Sequence, residues 1–362
     1  MKKILLIGMT SGVGGVETFI TNILENIDRK QFDVDVLLFQ DVNDKYAEIY
    51  NLSNVIHVAA INKKPLKYLK DVIELYRTHT YDIIHVNECT AKLFVYCWPA
   101  IFNGKTKIII HSHNGSGEHS ILNAILKRIQ NFFVSNKWSC SKSAAEWMFG
   151  NNTRNIEIIK NGVSVDDYLY NSDVRAAYRN KFNIESTTTV IGSVARFEKQ
   201  KNQKFIVEIF NEYLKINDDS LLVLVGEGSL KENVIKQVDN LGIANKVLFL
   251  SNRNDIPKLL QMFDVVLMPS LYEGLPFVSI EAQAAGVPVI ISNNVDPDVK
   301  ITERIYFTDI DNGAQQWVTI LQGILTQVNR RLDSQVIKEN FRKTGYDLNE
   351  SIRQIENLYR EI

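Results

Sequence analysis

A chain of 362 residues is long for one hydrophobic core and suits two domains. Its 41 basic and 42 acidic residues leave a net charge of −1, which argues against nucleic-acid binding, where a basic excess is usual. No run reaches the ~18–20 apolar residues of a membrane span, and Cys89, Cys97 and Cys140 show neither metal-ligand spacing nor evident pairing, so a cytoplasmic protein with reduced thiols is expected.

The start, Met1 to Gly8, is basic and then apolar, but the run is too short for a secretory signal and reads as a first strand over Ile4 to Ile7. Thr10-Ser11-Gly12-Val13-Gly14-Gly15-Val16-Glu17 follows, then a helix with Phe19, Ile20, Ile23, Leu24 and Ile27 on one face. Glycines between a first strand and a first helix suggest close backbone approach to a phosphate. Neither the G-x-G-x-x-G fingerprint nor a P-loop ending fits, so the turn alone is a weak signal.

Strand-like runs recur at Phe32 to Phe39, Val55 to Val58, Tyr81 to Val86, Lys107 to Ile110, Lys137 to Cys140 and Glu157 to Ile159, mostly with helical runs between them. This rhythm implies a parallel, doubly wound sheet. Within it, Asp33 and Asp35 alternate with Phe32, Val34 and Val36 and are expected to face solvent. His111-Ser112-His113-Asn114 closes a central strand, at the edge where such sheets bind ligands. A structural histidine and a metal pair are alternatives there, although no third ligand with sensible spacing follows. Lys63, Lys64, Lys67 and Lys70 punctuate one helical stretch, and Lys127 and Arg128 interrupt the apolar run Leu122 to Val134. A core-packed helix beside a solvated basic face accounts for these; contact with an anionic membrane is the open alternative.

Asn161-Gly162-Val163 reads as a turn, and the polar stretch Asp166 to Asn183 leads into a new strand, Val190 to Val194. The expected division is a first domain over 1–168, a second over 184–345, and a final segment over 346–362. Arg196 and Lys201 follow the new strand, two cations at a phosphate-friendly position, with Lys199 close by. Leu221 to Val225 runs into Gly226-Glu227-Gly228, and Val247 to Leu250 into Ser251-Asn252-Arg253.

Leu271 to Ser292, LYEGLPFVSIEAQAAGVPVIIS, is the most informative stretch. A buried strand precedes it, a Gly-Leu-Pro turn opens a helix over Val278 to Ala285, and Gly286 and Pro288 end that helix. The amides of Leu275, Phe277 and Val278 become free donors at the helix start, suited to a phosphate oxygen. Glu281 could accept two ribose hydroxyls and Glu273 could reach beyond the phosphates, although spacing alone equally permits two exposed acids beside an ordinary crossover.

The run Glu273-Gly274-Leu275-Pro276-Phe277-Val278-Ser279-Ile280-Glu281 resembles the E-x7-E motif of the retaining glycosyltransferases of family four, notably bacterial capsule and exopolysaccharide transferases. The resemblance covers essentially the whole chain and is strongest from Gly192 to Ile291. It implies a GT-B fold, two doubly wound Rossmann-like domains facing across a cleft, the first on the acceptor side and the second binding the nucleotide-sugar, with a last helix crossing back over the first.

By the same resemblance, Gly14 and Gly15 lie under donor and acceptor, and His113 (or His111) stands beside the donor sugar. Arg196 and Lys201 clamp the nucleotide diphosphate; Gly226, Arg253, Gly274, Leu275, Pro276, Phe277, Val278 and Glu281 bind the donor; Glu273 joins His113, Arg196 and Lys201 in catalysis. Ser251 stands where relatives often have glycine, which leaves the base pocket around Arg253 open. The activity implied is retaining, metal-independent sugar transfer from a nucleotide-sugar, UDP-linked rather than GDP-linked, to a glycan or lipid-linked glycan, at the inner face of the membrane if peripheral contact occurs. Nothing in the first-domain loops is an obvious carboxylate nucleophile, Glu118 being the nearest and a weak one, so front-face attack is favoured. The alternative is a non-catalytic subunit that stabilises an active partner.

Overall fold

The run Ile4-Leu5-Leu6-Ile7 has no polar face, which is how the interior strand of a parallel sheet covered on both sides reads. The computed structural model describes residues 1–12, 14–88, 90–113, 121–134, 136–251, 253–273, 275–327 and 333–362. It divides into two units, Met1–Gly162 with Leu348–Ile362, and Val163–Asp347.

Among the described residues the first unit holds seven parallel strands: β1 (Lys2–Ile7), β2 (Phe32–Leu38), β3 (Asn54–His57), β4 (Ile83–Asn87), β5 (Lys107–Ser112), β6 (Asn136–Ser139) and β7 (Glu157–Ile158), in the order β3-β2-β1-β4-β5-β6-β7. Alternate residues of β1 feed two cores. Ile4 and Leu6 meet Phe19, Ile20, Ile23 and Leu24 of the helix Gly15–Asn26 on one face. Leu5 and Ile7 meet Tyr68, Val72 and Leu75 of the helix Pro65–Thr78 on the other. The helix Leu348–Glu361 belongs to this unit and buries Ile352, Ile355 and Tyr359, an i, i+3, i+7 stripe, in the first of these cores.

The second unit holds six, again counted among the described residues: β8 (Thr189–Val194), β9 (Ser220–Val225), β10 (Val247–Leu250), β11 (Val265–Met268), β12 (Val289–Ser292) and β13 (Ile305–Thr308), in the order β10-β9-β8-β11-β12-β13, all parallel. Strand order reverses direction beside β1 and β4 in one sheet and beside β8 and β11 in the other. Those are the points where loops diverge and leave room for a ligand.

The segment after Gly162 joins the second unit because Val163 donates its amide to Tyr346 (3.0 Å) and pairs with Asp347. One expectation needs correcting. Asp33 is partly exposed, but Asp35 is 2 % exposed, accepts a hydrogen bond from the Tyr81 hydroxyl (2.8 Å) and lies 3.6 Å from the Lys3 ammonium. β2 is an interior strand with both faces covered, so alternation there sorts residues between two cores rather than between core and water.

Candidate active site

Arg196 leaves the end of β8 and is exposed. Its loop is held by the neighbouring turn after β9: Ala195 donates to Val225 (3.0 Å), Phe197 to Glu227 (2.9 Å) and Leu230 to Phe197 (2.9 Å). The two strands can sit this close only because Gly226 and Gly228 lack side chains. A Cβ on Gly226 would stand 2.2 Å from the Ala195 carbonyl oxygen, one on Gly228 2.4 Å from that of Phe197, and both have φ in the region other residues avoid (+144° and +156°). Gly226 therefore shapes the arginine loop, a role its sequence position does not show.

The Arg196–Lys201 loop is also tied to the loop after β11. Leu271 donates its amide to Gln200 (2.8 Å), and the Gln200 side chain donates to Tyr272 (2.9 Å). This brings Lys201 onto Glu273. The ammonium and the carboxylate are hydrogen-bonded, and both side chains are largely buried (18 % and 9 % exposed). Ser270 donates a second bond to the same carboxylate oxygen (3.0 Å), and the Glu273 backbone bridges to Val295.

The helix Phe277–Ala284 begins directly after this loop. Its first flanking residue is Pro276, which supplies no side-chain cap, so no side chain competes for the Phe277 and Val278 amides. Leu275 and Pro276 are buried; Phe277 and Val278 are half-buried. Glu281, one turn on, accepts a hydrogen bond from the Tyr168 hydroxyl (2.6 Å). Burial and the neighbouring carboxylate push that phenol's pKa up, so it stays a donor. Nothing in the sequence flags Tyr168; it lies 113 positions from its partner. Arg253 is placed apart from this group: it follows β10, at the sheet edge, with its guanidinium on Asp255 (Nε to Oδ1, 2.8 Å). Tyr178 donates to the same carboxylate (2.7 Å), and these bonds, the arginine's first, hold Asp255 down to about 2.

In the first unit, the Gly14–Gly15 turn opens the helix Gly15–Asn26. The anion at this helix start is the chain's own Glu17, 6 % exposed, which accepts from the amide and hydroxyl of Thr10 (3.2 and 2.5 Å). Glu17 braces the glycine loop, a function foreshadowed only by its place in the first turn.

The histidines form a column. His85 on β4 and His111 on β5 are fully buried and stacked (5.3 Å between centroids), and His113 follows at 4.1 Å from His111. His85 bonds Tyr359 through Nδ1 (2.6 Å) and His111 through Nε2 (3.2 Å). His111 is thus a core residue, while His113 lies past the strand end, half-buried, with Nε2 2.9 Å from Asn87 Oδ1. Burial lowers the pKa of all three, that of His113 to about 3. His85 and Asn87 were legible only as polar residues in an apolar strand. Gly274, Glu118, Cys89 and the glycines at 115 and 117 lie outside the described residues.

Two doubly wound parallel-sheet units in succession, with loops at the strand ends carrying cations, carboxylates and an uncapped helix start, are the GT-B architecture. Residues 13–167 match the family described as Glycosyltransferase Family 4, and residues 174–304 the one described as Glycosyl transferases group 1. Together these span most of the chain, which belongs to the family 4 glycosyltransferases. It is 26% identical to a putative glycosyltransferase, EpsF, of Bacillus subtilis (strain 168), over 99% of this chain and 96% of that protein. It is 21% identical to the UDP-Gal:alpha-D-GlcNAc-diphosphoundecaprenol alpha-1,3-galactosyltransferase of Escherichia coli, over 99% and 96%. Among solved structures, Anabaena Alr3699/HepE in complex with UDP-glucose superposes with a TM-score of 0.83 at 23% identity, covering all of both chains, a likeness of fold.

Proposed function

We propose that the protein transfers a sugar, with retention of configuration, from a UDP-linked donor to a hydroxyl of a glycan or lipid-linked glycan during cell-surface polysaccharide synthesis. The observation that carries this reading is the pairing of Lys201 with Glu273 between Arg196 and the uncapped start of the helix Phe277–Ala284. In this reading Arg196, Lys201 and the helix-start amides from Leu275 to Val278 take the charge that develops on the departing diphosphate, and no metal ion takes part. Glu281, braced by Tyr168, accepts the ribose hydroxyls; Glu273 borders the transferred sugar; Arg253 lies towards the base. The first unit, with Gly14, Gly15 and His113, serves the acceptor and the sugar. The acceptor hydroxyl attacks on the face the diphosphate leaves, and a phosphate oxygen takes its proton. The names of the E. coli relative and of the HepE complex support a UDP-linked donor, and the former supports a lipid-linked acceptor.

The test is thermal stability with UDP, GDP, ADP and their sugars, with and without EDTA, followed by transfer assays that read the anomer of the product. A ligand at a hundred times its Kd adds about 2.7 kcal/mol of stability. Stabilisation by UDP compounds that survives EDTA, and a product with the donor's anomeric configuration, are expected. No response to any nucleotide would favour a stabilising subunit instead.

A peripheral membrane contact belongs to the same reading. Leu66, Leu69 and Ile73 are exposed on the helix Pro65–Thr78 (83 %, 44 % and 50 %), among the exposed Lys63, Lys64, Lys67 and Lys70. Phe132, 84 % exposed, ends the helix Ile121–Phe133. Lysines around protruding aliphatic residues suit the anionic surface of a bilayer. Co-sedimentation with vesicles containing phosphatidylglycerol should fall several-fold in a Leu66→Glu, Phe132→Glu variant and disappear in pure phosphatidylcholine. Equal recovery of variant and parent would remove the membrane from the proposal. No helix among the described residues is long and apolar enough to cross one.

A further inference from the structure

Asn87 ends β4 and is 1 % exposed. Its amide cannot turn freely. Nδ2 donates to the Ile7 carbonyl (3.3 Å) and reaches that of His85 (3.5 Å), so an inverted amide would set an oxygen against two carbonyl oxygens. Backbone packing adds to this: a Cβ on Gly8 would stand 2.3 Å from the Asn87 carbonyl oxygen, so the chain leaving β1 passes directly over the residue.

Oδ1 is left to face His113 Nε2 at 2.9 Å. An amide oxygen only accepts, so that nitrogen must carry the hydrogen, and the neutral ring then keeps its lone pair on Nδ1. Nδ1 is buried and has no partner among the described residues. The Asn161 side chain is 2 % exposed and its Oδ1 has no partner among the described residues, and an amide can meet a bare ring nitrogen only when turned with Nδ2 forward.

We propose that Asn87 is a positioning residue that fixes His113 as the Nε2–H tautomer, so that Nδ1 is a hydrogen-bond acceptor reserved for a donor, Asn161 or a sugar hydroxyl. The sugar hydroxyl rests on the function proposed above. Among the described residues the titratable groups packed on the ring are His111 of β5, 4.1 Å away, and His85 of β4 behind it; Phe19 closes the side towards the helix Gly15–Asn26 at 4.8 Å. The carboxylates on the neighbouring elements are engaged elsewhere, Glu17 by Thr10 and Glu88 by Tyr96. Burial keeps the ring neutral down to about 3, so its acceptor character does not change with pH in the working range. A ring held this way selects a hydroxyl over a carboxylate or carbonyl, and a donor sugar deoxygenated at the position facing His113 loses that bond.

Nitrogen NMR of the imidazoles in the full-length protein tests this without substrate, with His113 assigned by comparison with His113→Gln. The expected result is hydrogen on Nε2 and a bare Nδ1, unchanged from pH 8 to pH 5. A hydrogen on Nδ1, or a charged ring within that range, would overturn the proposal. In Asn87→Ala the tautomers should mix and the KM for the donor rise about tenfold; a loss of melting temperature with the tautomer unchanged would leave Asn87 merely structural. In Asn87→Asp the carboxylate should raise the His113 midpoint by at least two pH units and add an acid limb to the rate profile. Should the aspartate not fold beside the Ile7 carbonyl, the unsubstituted spectrum decides. The expected tautomer without any sugar transfer would strike out the hydroxyl partner and the proposed function while leaving the tautomer in place.

Discussion

Lys201 and Glu273 neutralise each other inside the second unit, and each limits what the other can do. Removing one partner of a largely buried pair leaves the other uncompensated, at a cost of up to about 3–5 kcal/mol when the survivor stays dry. Here the survivor of Glu273→Ala is a cation at a site proposed for a diphosphate. Nucleotide affinity should therefore hold or tighten while turnover falls about 10²-fold, the scale of an interaction made mainly in the transition state. Calorimetric titration with UDP beside steady-state rates checks the split. A loss of affinity equal to the loss of rate would make Glu273 a scaffold residue. The resemblance picks out Arg196, Lys201, Glu273 and Glu281 from the sequence alone. It cannot show that the lysine and the glutamate are bonded to each other, because 72 positions separate them and only the β8–β11 adjacency joins their loops.

Elements were legible where period and punctuation agreed. The helix after the Gly-Leu-Pro turn is expected over Val278 to Ala285 and is found at Phe277–Ala284. The strands of the first sheet lie within a residue or two of their expected ends. β13, Ile305–Thr308, is too short for its period to read as a strand, although the turn signal Asp309-Ile310-Asp311-Asn312-Gly313 follows it. The Asp35 misreading has the same origin: burial on both faces removes the contrast that alternation depends on. Supporting contacts such as Tyr168 on Glu281 are formed by tertiary structure and leave no local trace. The turn after β9 offers a test at this scale. Gly226→Ala must push the Ala195 carbonyl away at an unfavourable φ, so it should destabilise the second unit by about 1–3 kcal/mol and shift Arg196 with it. Denaturant titration reads the first effect and UDP affinity the second; a variant as stable as its parent would show that the two loops tolerate separation.

All six histidines of the chain fall in Met1–Gly162, none in the second unit. His85, His111 and His113 are held neutral by burial, so their folded pKa values lie below those of the unfolded chain. Below about pH 6.5 the unfolded state takes up protons that the folded state refuses. Stability is therefore intact above that pH and declines as pH falls, by roughly 1.4 kcal/mol per pH unit for each ring. Between pH 7.5 and 5.5 the first unit should lose stability, with about 4 kcal/mol as the ceiling for three rings that stay neutral, and the second little. Hydrogen exchange resolved by segment at the two pH values measures each unit separately, and an equal loss in both would assign the acid sensitivity elsewhere.

The chain leaves the first unit at Gly162 and re-enters it at Leu348. On the ribosome this becomes an interval of time. At ~5–20 residues per second, roughly ten to forty seconds pass between synthesis of β7 and synthesis of the helix that completes the core. Throughout that interval the surface destined for Ile352, Ile355 and Tyr359 stays uncovered, and His85 has no tyrosine hydroxyl to bond. The second unit, continuous in sequence, can finish folding first. For the nascent protein the order of maturation is therefore the reverse of the order of synthesis, and the exposed half-core marks the period in which a chaperone has something to hold.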